Sequence, residues 1–241
     1  YMAQDRGYEE IHTLTFDYGQ RHKRELACVD KQIKNFNQQF SGWMNLKVTN
    51  KVLDVKYIKD IAPTSSLTNP DIDNPDISKI AGDAQPVSYV PFRNLMFLSI
   101  CSSYAEGVGA DTVWYGAAQV DSLAGYWDGS EEFVDMVNKV TDLNRENRIN
   151  IEAPLLEMSK ADIIKEGIRL GVKYKDTWTC YSDGKVEKNG KGYHLIADAT
   201  TPSSSMRVKG FVDAGYKDPI TYIQQDKLNK LYDENNCREC A

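Results

Sequence analysis

Basic charge is in short supply. The 241 residues carry 29 Lys and Arg against 35 Asp and Glu, a formal net charge of -6 with pI near 5.2. A chain of this sign offers no basic footprint for nucleic acid, and a small-molecule enzyme fits it better. Long apolar runs are also missing, since none approaches the roughly 18 residues of a membrane helix. Cysteines are few and odd in number: Cys28, Cys101, Cys180, Cys237 and Cys240. Cys28 and Cys101 lie in apolar helical contexts, which argues against a secreted disulfide framework. What remains, 41% hydrophobic and 27% charged residues, is ordinary globular composition. It excludes a disordered tail, a fibrous repeat and a small disulfide scaffold. No signal peptide opens the chain. Tyr1 to Tyr8 reads as the tail of a helix closing at Gly7, so the natural N-terminus is expected upstream. A reducing cytoplasm is the default compartment, the host's if the source were viral.

The hydrophobic period alternates between strand and helix. Ile11 to Phe16 is a β-rich run, and Leu26, Val29, Ile33 and Phe36 follow at helical spacing. Leu46 to Leu53 reads as a second strand. Residues 62–88 are rich in Pro, Asp, Ser and Asn and read as a long loop, of the kind that is functional or mobile. A continuous apolar helix runs from about Arg93 to Gly107, and Asp111 to Gly116 is a short buried strand. A loop from Ala117 to Gly129 leads into a helix from about Ser130 to Arg145, and Ile149 to Glu152 is the last strand. Ser159-Lys160-Ala161-Asp162 opens a helix that Gly171 closes. The order predicts an α/β fold, a parallel sheet flanked by helices. We expect one such domain over residues 1–172. A smaller helical, zinc-binding lobe is expected over 173–241, where residues 182–205 turn polar. Ligands of such sheets bind beyond the carboxyl ends of the strands.

Four clusters meet that expectation, and a fifth lies in the C-terminal region. Asp17-Tyr18-Gly19-Gln20-Arg21-His22 ends the first strand and suits nucleotide contact, or is simply a turn with a basic helix start. Pro91-Phe92-Arg93-Asn94 opens the apolar helix, where an anion could bind, or where Arg93 is a surface residue beside a cap. Gln119, Asp121, Tyr126, Trp127 and Asp128 could sandwich a flat heterocycle and bond its edge, or belong to an exposed loop. Lys160 at a helix start could neutralise phosphate or be solvated. The terminal Cys237-x-x-Cys240 has the spacing of half a structural zinc site. Cys180 offers a third thiolate, and His194, or next Asp198, a fourth ligand. A frayed terminus is the plainer reading.

Taken together, these clusters resemble the 7-cyano-7-deazaguanine synthases of queuosine biosynthesis, members of the N-type ATP pyrophosphatase or PP-loop superfamily. The resemblance runs from Tyr1 to about Pro219, with its motifs in the right order. It implies ATP-dependent activation of a 7-carboxy-7-deazaguanine, attack by ammonia to give an amide, and a second activation that yields the nitrile. It implies that Asp17, Tyr18, Gln20 and Arg21 line the nucleotide side and that Arg93 and Asn94 sit in the active-site cleft. Gln119, Asp121, Gly125 and Tyr126 would face the deazaguanine and Lys160 the phosphates, with Arg93, Asp121 and Lys160 as the catalytic set. Mg2+ should accompany ATP. A homodimer, a free-base substrate and no direct nucleic-acid or membrane partner are implied as well.

The sequence departs from the family pattern in three places. The Ser-Gly-Gly-x-Asp-Ser phosphate loop is expected ahead of Tyr1. The family's zinc cysteines are one Cys and then Cys-Gly-x-Cys-Pro-x-Cys; here Cys180 is kept and the other three fall on Asp198, Thr201 and Ser204. Hydroxyls are poor zinc ligands. The expectation is therefore a rebuilt site of Cys180, His194, Cys237 and Cys240, the alternative being a lobe held by hydrophobic packing. Finally, Tyr126-Trp127-Asp128-Gly129-Ser130 stands where the family has a Pro-Asp-Cys-Arg-Pro-like run. That difference admits a related ligase that stops at the amide or serves DNA modification or defence. The absent loop and altered cysteines admit a non-catalytic member.

Overall fold

The computed structural model describes residues 1–20, 24–42, 46–73, 87–123, 126–180, 185–189 and 192–240. The chain divides into two compact units, Tyr1–Ile58 with Lys160–Ala241, and Lys59–Ser159.

In the first unit, a short α1 (Met2–Asp5) leads through Gly7 to β1 (Glu10–Asp17), then α2 (Arg24–Gln39) and β2 (Lys47–Asp54). β1 and β2 are parallel and in register from Glu10 opposite Lys47 to Asp17 opposite Asp54. A parallel pair needs a long crossover, and α2 supplies it. α2 is amphipathic because its apolar residues recur every third or fourth position. Phe36, its buried residue, meets Tyr1 edge-on with ring centroids 5.0 Å apart. The polar side of α2 is also used: Gln32 donates to the Lys173 carbonyl (2.9 Å), Asn35 to Asp176 (2.9 Å) and Gln39 to the Leu170 carbonyl (3.0 Å). After α3 (Ile58–Ile61), the chain returns to this unit at Lys160.

Further elements, numbered in chain order, are α4 (Arg93–Val108), β3 (Thr112–Trp114), α5 (Gln119–Leu123), α6 (Glu131–Thr141) and β4 (Asn150–Glu152), followed by α7 (Lys160–Arg169). Then come β5 (Lys185–Asn189), β6 (Gly192–Ala197), α8 (Pro202–Ala214), β7 (Thr221–Tyr222) and α9 (Gln225–Glu234). α7 and α8 pack through Ile164, Phe211 and Ala214. Thr201 caps α8, with Pro202 at its first position, and Gly215 ends it at φ 81°.

The stretch 182–205, read as polar from sequence, holds β5 and β6 as an antiparallel pair, with β7 added parallel to β6. The two strands are short, and their pairing is a backbone ladder that the polar composition of the stretch does not announce. The C-terminal region is thus mixed α and β where a helical lobe is expected, while the parallel pairs β1–β2 and β3–β4 with their helices agree with the expected α/β class.

In the second unit, β3 and β4 are parallel, Thr112 opposite Asn150, with α6 in the crossover. Leu98, Ala105, Val113, Phe133, Val137, Ile149 and Ile151 form its core. The Ser130 hydroxyl accepts the Phe133 N–H at 3.1 Å and so starts α6. Asn138 clamps helix to strand: its amide donates to the Ile151 carbonyl at 2.9 Å, and its oxygen accepts the Ile151 N–H at 2.8 Å. Among the described residues, no helix is long and apolar enough to cross a membrane.

Candidate functional site

Asp17, Tyr18, Gln20, Lys160 and Cys180 belong to the first unit, and Arg93, Asn94, Gln119, Asp121 and Tyr126 to the second. Arg21, His22 and Gly125, and the His194 side chain, lie outside the described residues.

At the carboxyl end of β1 the chain makes a tight turn. Gly19 sits at φ 77° and donates its N–H to Asp17 Oδ1 at 3.0 Å. Gln20 is buried, and both ends of its amide are engaged. Its oxygen accepts the Tyr18 N–H at 3.0 Å, and its nitrogen donates to the Phe16 carbonyl and to Glu25, each at 3.2 Å. Gln20 therefore builds the turn. Lys56 lies 3.2 Å from Asp17 Oδ2 and puts a cation at the strand end.

Lys160 is the first residue of α7, where exposed N–H groups and a cation together favour an anion. Its stem lies against Gly210 of α8. A Cβ there would run into Lys160 Cγ and come within 3.0 Å of Ile164 Cδ1.

Thr177 and Trp178, in the stretch before Cys180, are pinned from behind. The Arg207 guanidinium donates to Thr177 Oγ1 at 2.6 Å and to the Tyr174 carbonyl at 3.1 Å, while the Trp178 indole donates to the Cys180 carbonyl at 2.9 Å.

In the second unit, residues from the third cluster gather in one turn. Asp121 Oδ2 accepts the Ala118 N–H at 2.9 Å, and the Asp121 carbonyl accepts the Tyr126 N–H at 3.2 Å. Gly129 is required close by, because a Cβ there would stand 2.8 Å from Asp121 Cβ. A single parallel bridge joins Ala118 to Leu155, and the Gln119 N–H reaches the Met158 carbonyl at 3.4 Å. The Tyr126 hydroxyl is 3.5 Å from Ser88 Oγ. The Trp127 indole donates to the Tyr89 hydroxyl at 3.0 Å, and its ring meets Phe92 and Phe133 edge-on at 5.4 and 5.2 Å.

Burial raises the Asp128 carboxyl above its ordinary range, and the Arg93 guanidinium opposes that rise. Burial, with help from Asp128 and Asp121, pushes the Tyr115 phenol up to about 12. Arg93 Nε donates to Asn94 Oδ1 at 3.3 Å, so these two stay side by side at the start of α4. Phe92 just before them adopts φ 54°, a left-handed backbone that a bulky residue rarely takes. The carboxylates, phenol and indole of this turn, with the Arg93 guanidinium at the start of α4, can grip a flat heterocycle by edge and face.

Sequence reasoning missed Tyr89 and the buried Ser65-Ser66-Leu67-Thr68 strip, which lay in a stretch read as loop. Ser65 Oγ donates to the Ser88 carbonyl at 3.2 Å, and Ser66 Oγ is buried without a hydrogen-bond partner among the described residues. Leu67, apolar and flanked by Ser and Thr, was the one available signal.

Of the expected zinc ligands, Cys180, Cys237 and Cys240 are described and the His194 side chain is not. Cys180 and Cys237 lie in one apolar cluster, whereas Cys240 packs against another, with Ile164 and Phe211. Among the described residues, no three His, Cys, Asp or Glu side chains gather closely enough to hold a metal ion. Beside Cys180 stand Thr201 Oγ1 and the Asp198 carbonyl, with Ser204 Oγ bonded to Thr201, a set that does not fit zinc.

Against known proteins, residues 1–215 match the family model described as queuosine biosynthesis protein QueC. A 7-cyano-7-deazaguanine synthase of Clostridium kluyveri is 36% identical over 228 residues, covering 92% of this chain and 90% of the relative. Those of Thermoplasma acidophilum and a Sulfurovum species are 34% and 37% identical. They cover 95% and 92% of this chain, and 87% and 90% of the relatives.

Proposed function

The chain belongs to the family of the queuosine biosynthesis protein QueC, and from that premise we propose that it makes 7-cyano-7-deazaguanine from 7-carboxy-7-deazaguanine, ammonia and ATP. The match over residues 1–215 carries this reading, since every cluster except the terminal Cys237-x-x-Cys240 lies inside it.

ATP activates the carboxylate, ammonia displaces the activated oxygen to give an amide, and a second activation removes the amide oxygen to leave the nitrile. Activated carboxylates hydrolyse in water, so the site must exclude it. Asp121 and Tyr126, with Gln119 and Gly125, hold the deazaguanine edge. The hydrogen bonds that fix Asp121 and Tyr126 in one turn support this role. Arg93 and Asn94 at the start of α4 face the reacting carboxylate and stabilise charge that develops there. Asp17, Tyr18 and Arg21 line the nucleotide, with Gln20 shaping their turn, and Lys160 takes the phosphates. Mg2+ travels with ATP and neutralises its phosphates. A cytoplasmic homodimer acting on a free base completes the proposal.

A second reading has one observation in its favour. Trp127-Asp128-Gly129 forms a short 3-10 turn with an aromatic cover, and no arginine stands in it. A related deazaguanine acid, or a reaction ending at the amide, would suit that turn. ATP consumption tests the main reading. It should require both 7-carboxy-7-deazaguanine and ammonium, and consumption indifferent to the acid would refute it.

A further inference from the structure

The positions where the family's zinc cysteines fall are not scattered in this chain. Cys180 Sγ lies 3.7 Å from Thr201 Oγ1 and 3.8 Å from the Asp198 carbonyl, toward which the thiol can donate. Thr201 Oγ1 lies 2.8 Å from Ser204 Oγ and 3.2 Å from the same Asp198 carbonyl. Thr201 is therefore a hub: its oxygen touches three groups and also caps α8 by accepting the Ser204 N–H at 3.4 Å.

The Asp198 carboxylate is turned elsewhere. Its Oδ1 accepts the Thr200 N–H at 2.9 Å, the Thr200 hydroxyl at 2.7 Å and the Gln224 amide at 2.9 Å. Gln224 in turn accepts the Ala199 N–H at 3.0 Å, closing the loop between β6 and α8. Cys180 and Ser204 are almost fully buried, and Cys180 packs with Ala197, Val208 and Tyr222. One thiol and two neutral hydroxyls, with the carboxylate facing away, make a poor zinc shell but a well-paired hydrogen-bond cluster.

We propose that a metal-free knot of Cys180, Asp198, Thr201, Ser204 and Gln224 ties this region together where the family resemblance implies zinc. A structural zinc site supplies folding free energy outright. Here hydrogen bonds and the surrounding apolar cluster supply it, so the lobe holds its fold without metal. The claim concerns stability and does not depend on which reaction the chain performs.

The experiment pairs metal analysis with thermal unfolding of the full chain, before and after dialysis against a strong chelator. Zinc should be far below one per chain and the midpoint unchanged. One zinc per chain whose removal lowers the midpoint would overturn the proposal. A second arm restores the thiols with Asp198→Cys, Thr201→Cys and Ser204→Cys together. With native Cys180, this variant should bind one Co2+ and show the visible bands of a tetrathiolate site, which the parent chain lacks. A folded triple variant that binds no Co2+ would refute the convergence of the four positions. Should that variant not fold, Thr201→Val decides: it should lower the midpoint by several degrees with metal content unaltered, and an unmoved midpoint would count against the knot.

Discussion

Arg207 and Asp218 meet in a two-pronged ion pair, Nε 2.7 Å from Oδ2 and Nη2 2.9 Å from Oδ1, with the carboxylate fully buried. The Tyr222 hydroxyl donates to the same Oδ2 at 2.8 Å, so the charges are paired and their remaining bonds satisfied. Because Arg207 also holds Thr177 and the Tyr174 carbonyl, this pair fixes the approach to Cys180. Removing one partner strands the other charge. Arg207→Leu should cost about 3–5 kcal/mol of stability. Chemical denaturation of the two proteins side by side measures it.

Gly210 gives Lys160 its place. Gly210→Ala puts a methyl into the Lys160 stem and Ile164, which should destabilise the α7–α8 contact by about 1–3 kcal/mol. If Lys160 carries phosphate, the same variant should raise KM for ATP more than KM for the acid.

Asp121 offers a clean test of the ring-binding turn. Asp121→Asn keeps an oxygen to accept the Ala118 N–H and removes only the charge. Turnover should fall about a hundredfold or more while the thermal midpoint stays put. Trp127→Leu takes away the aromatic cover and the bond to Tyr89, and should raise KM for the acid with KM for ATP unchanged.

Alkaline pH should unfold the protein. Burial pushes the Tyr174 and Tyr232 phenols up to about 12, from an ordinary value of 10.0. The folded state thus holds these protons more tightly than the unfolded chain. That stability is complete below pH 10 and drains away as pH rises toward about 12. The thermal midpoint should drop across this window together with the rise in phenolate absorbance, and Tyr174→Phe should flatten the drop.

Much of the α/β core was legible in the sequence. The runs 11–16 and 46–53 became β1 and β2, and the apolar run from Arg93 became α4, because their residue types favour those elements locally. The third cluster was legible in its residue types, and Asp121, Tyr126, Trp127 and Asp128 do share one turn. Pairing at a distance was not legible. Arg207 stands in α8 and Asp218 in the loop that follows it, and a single sequence has no means of joining them. The β5–β6 hairpin hid for a different reason: its strands are short and lie in a stretch of polar composition. The surroundings of Cys180 were not legible either, since spacing alone does not reveal that the Thr201 hydroxyl and the Asp198 carbonyl lie beside its thiol.

The most direct measurement is the mass of the base after the full-length protein is incubated with 7-carboxy-7-deazaguanine, Mg-ATP and isotopically labelled ammonium. The account predicts the nitrile, carrying one labelled nitrogen, with ATP consumed. A labelled amide that goes no further, or an unaltered acid, would contradict it.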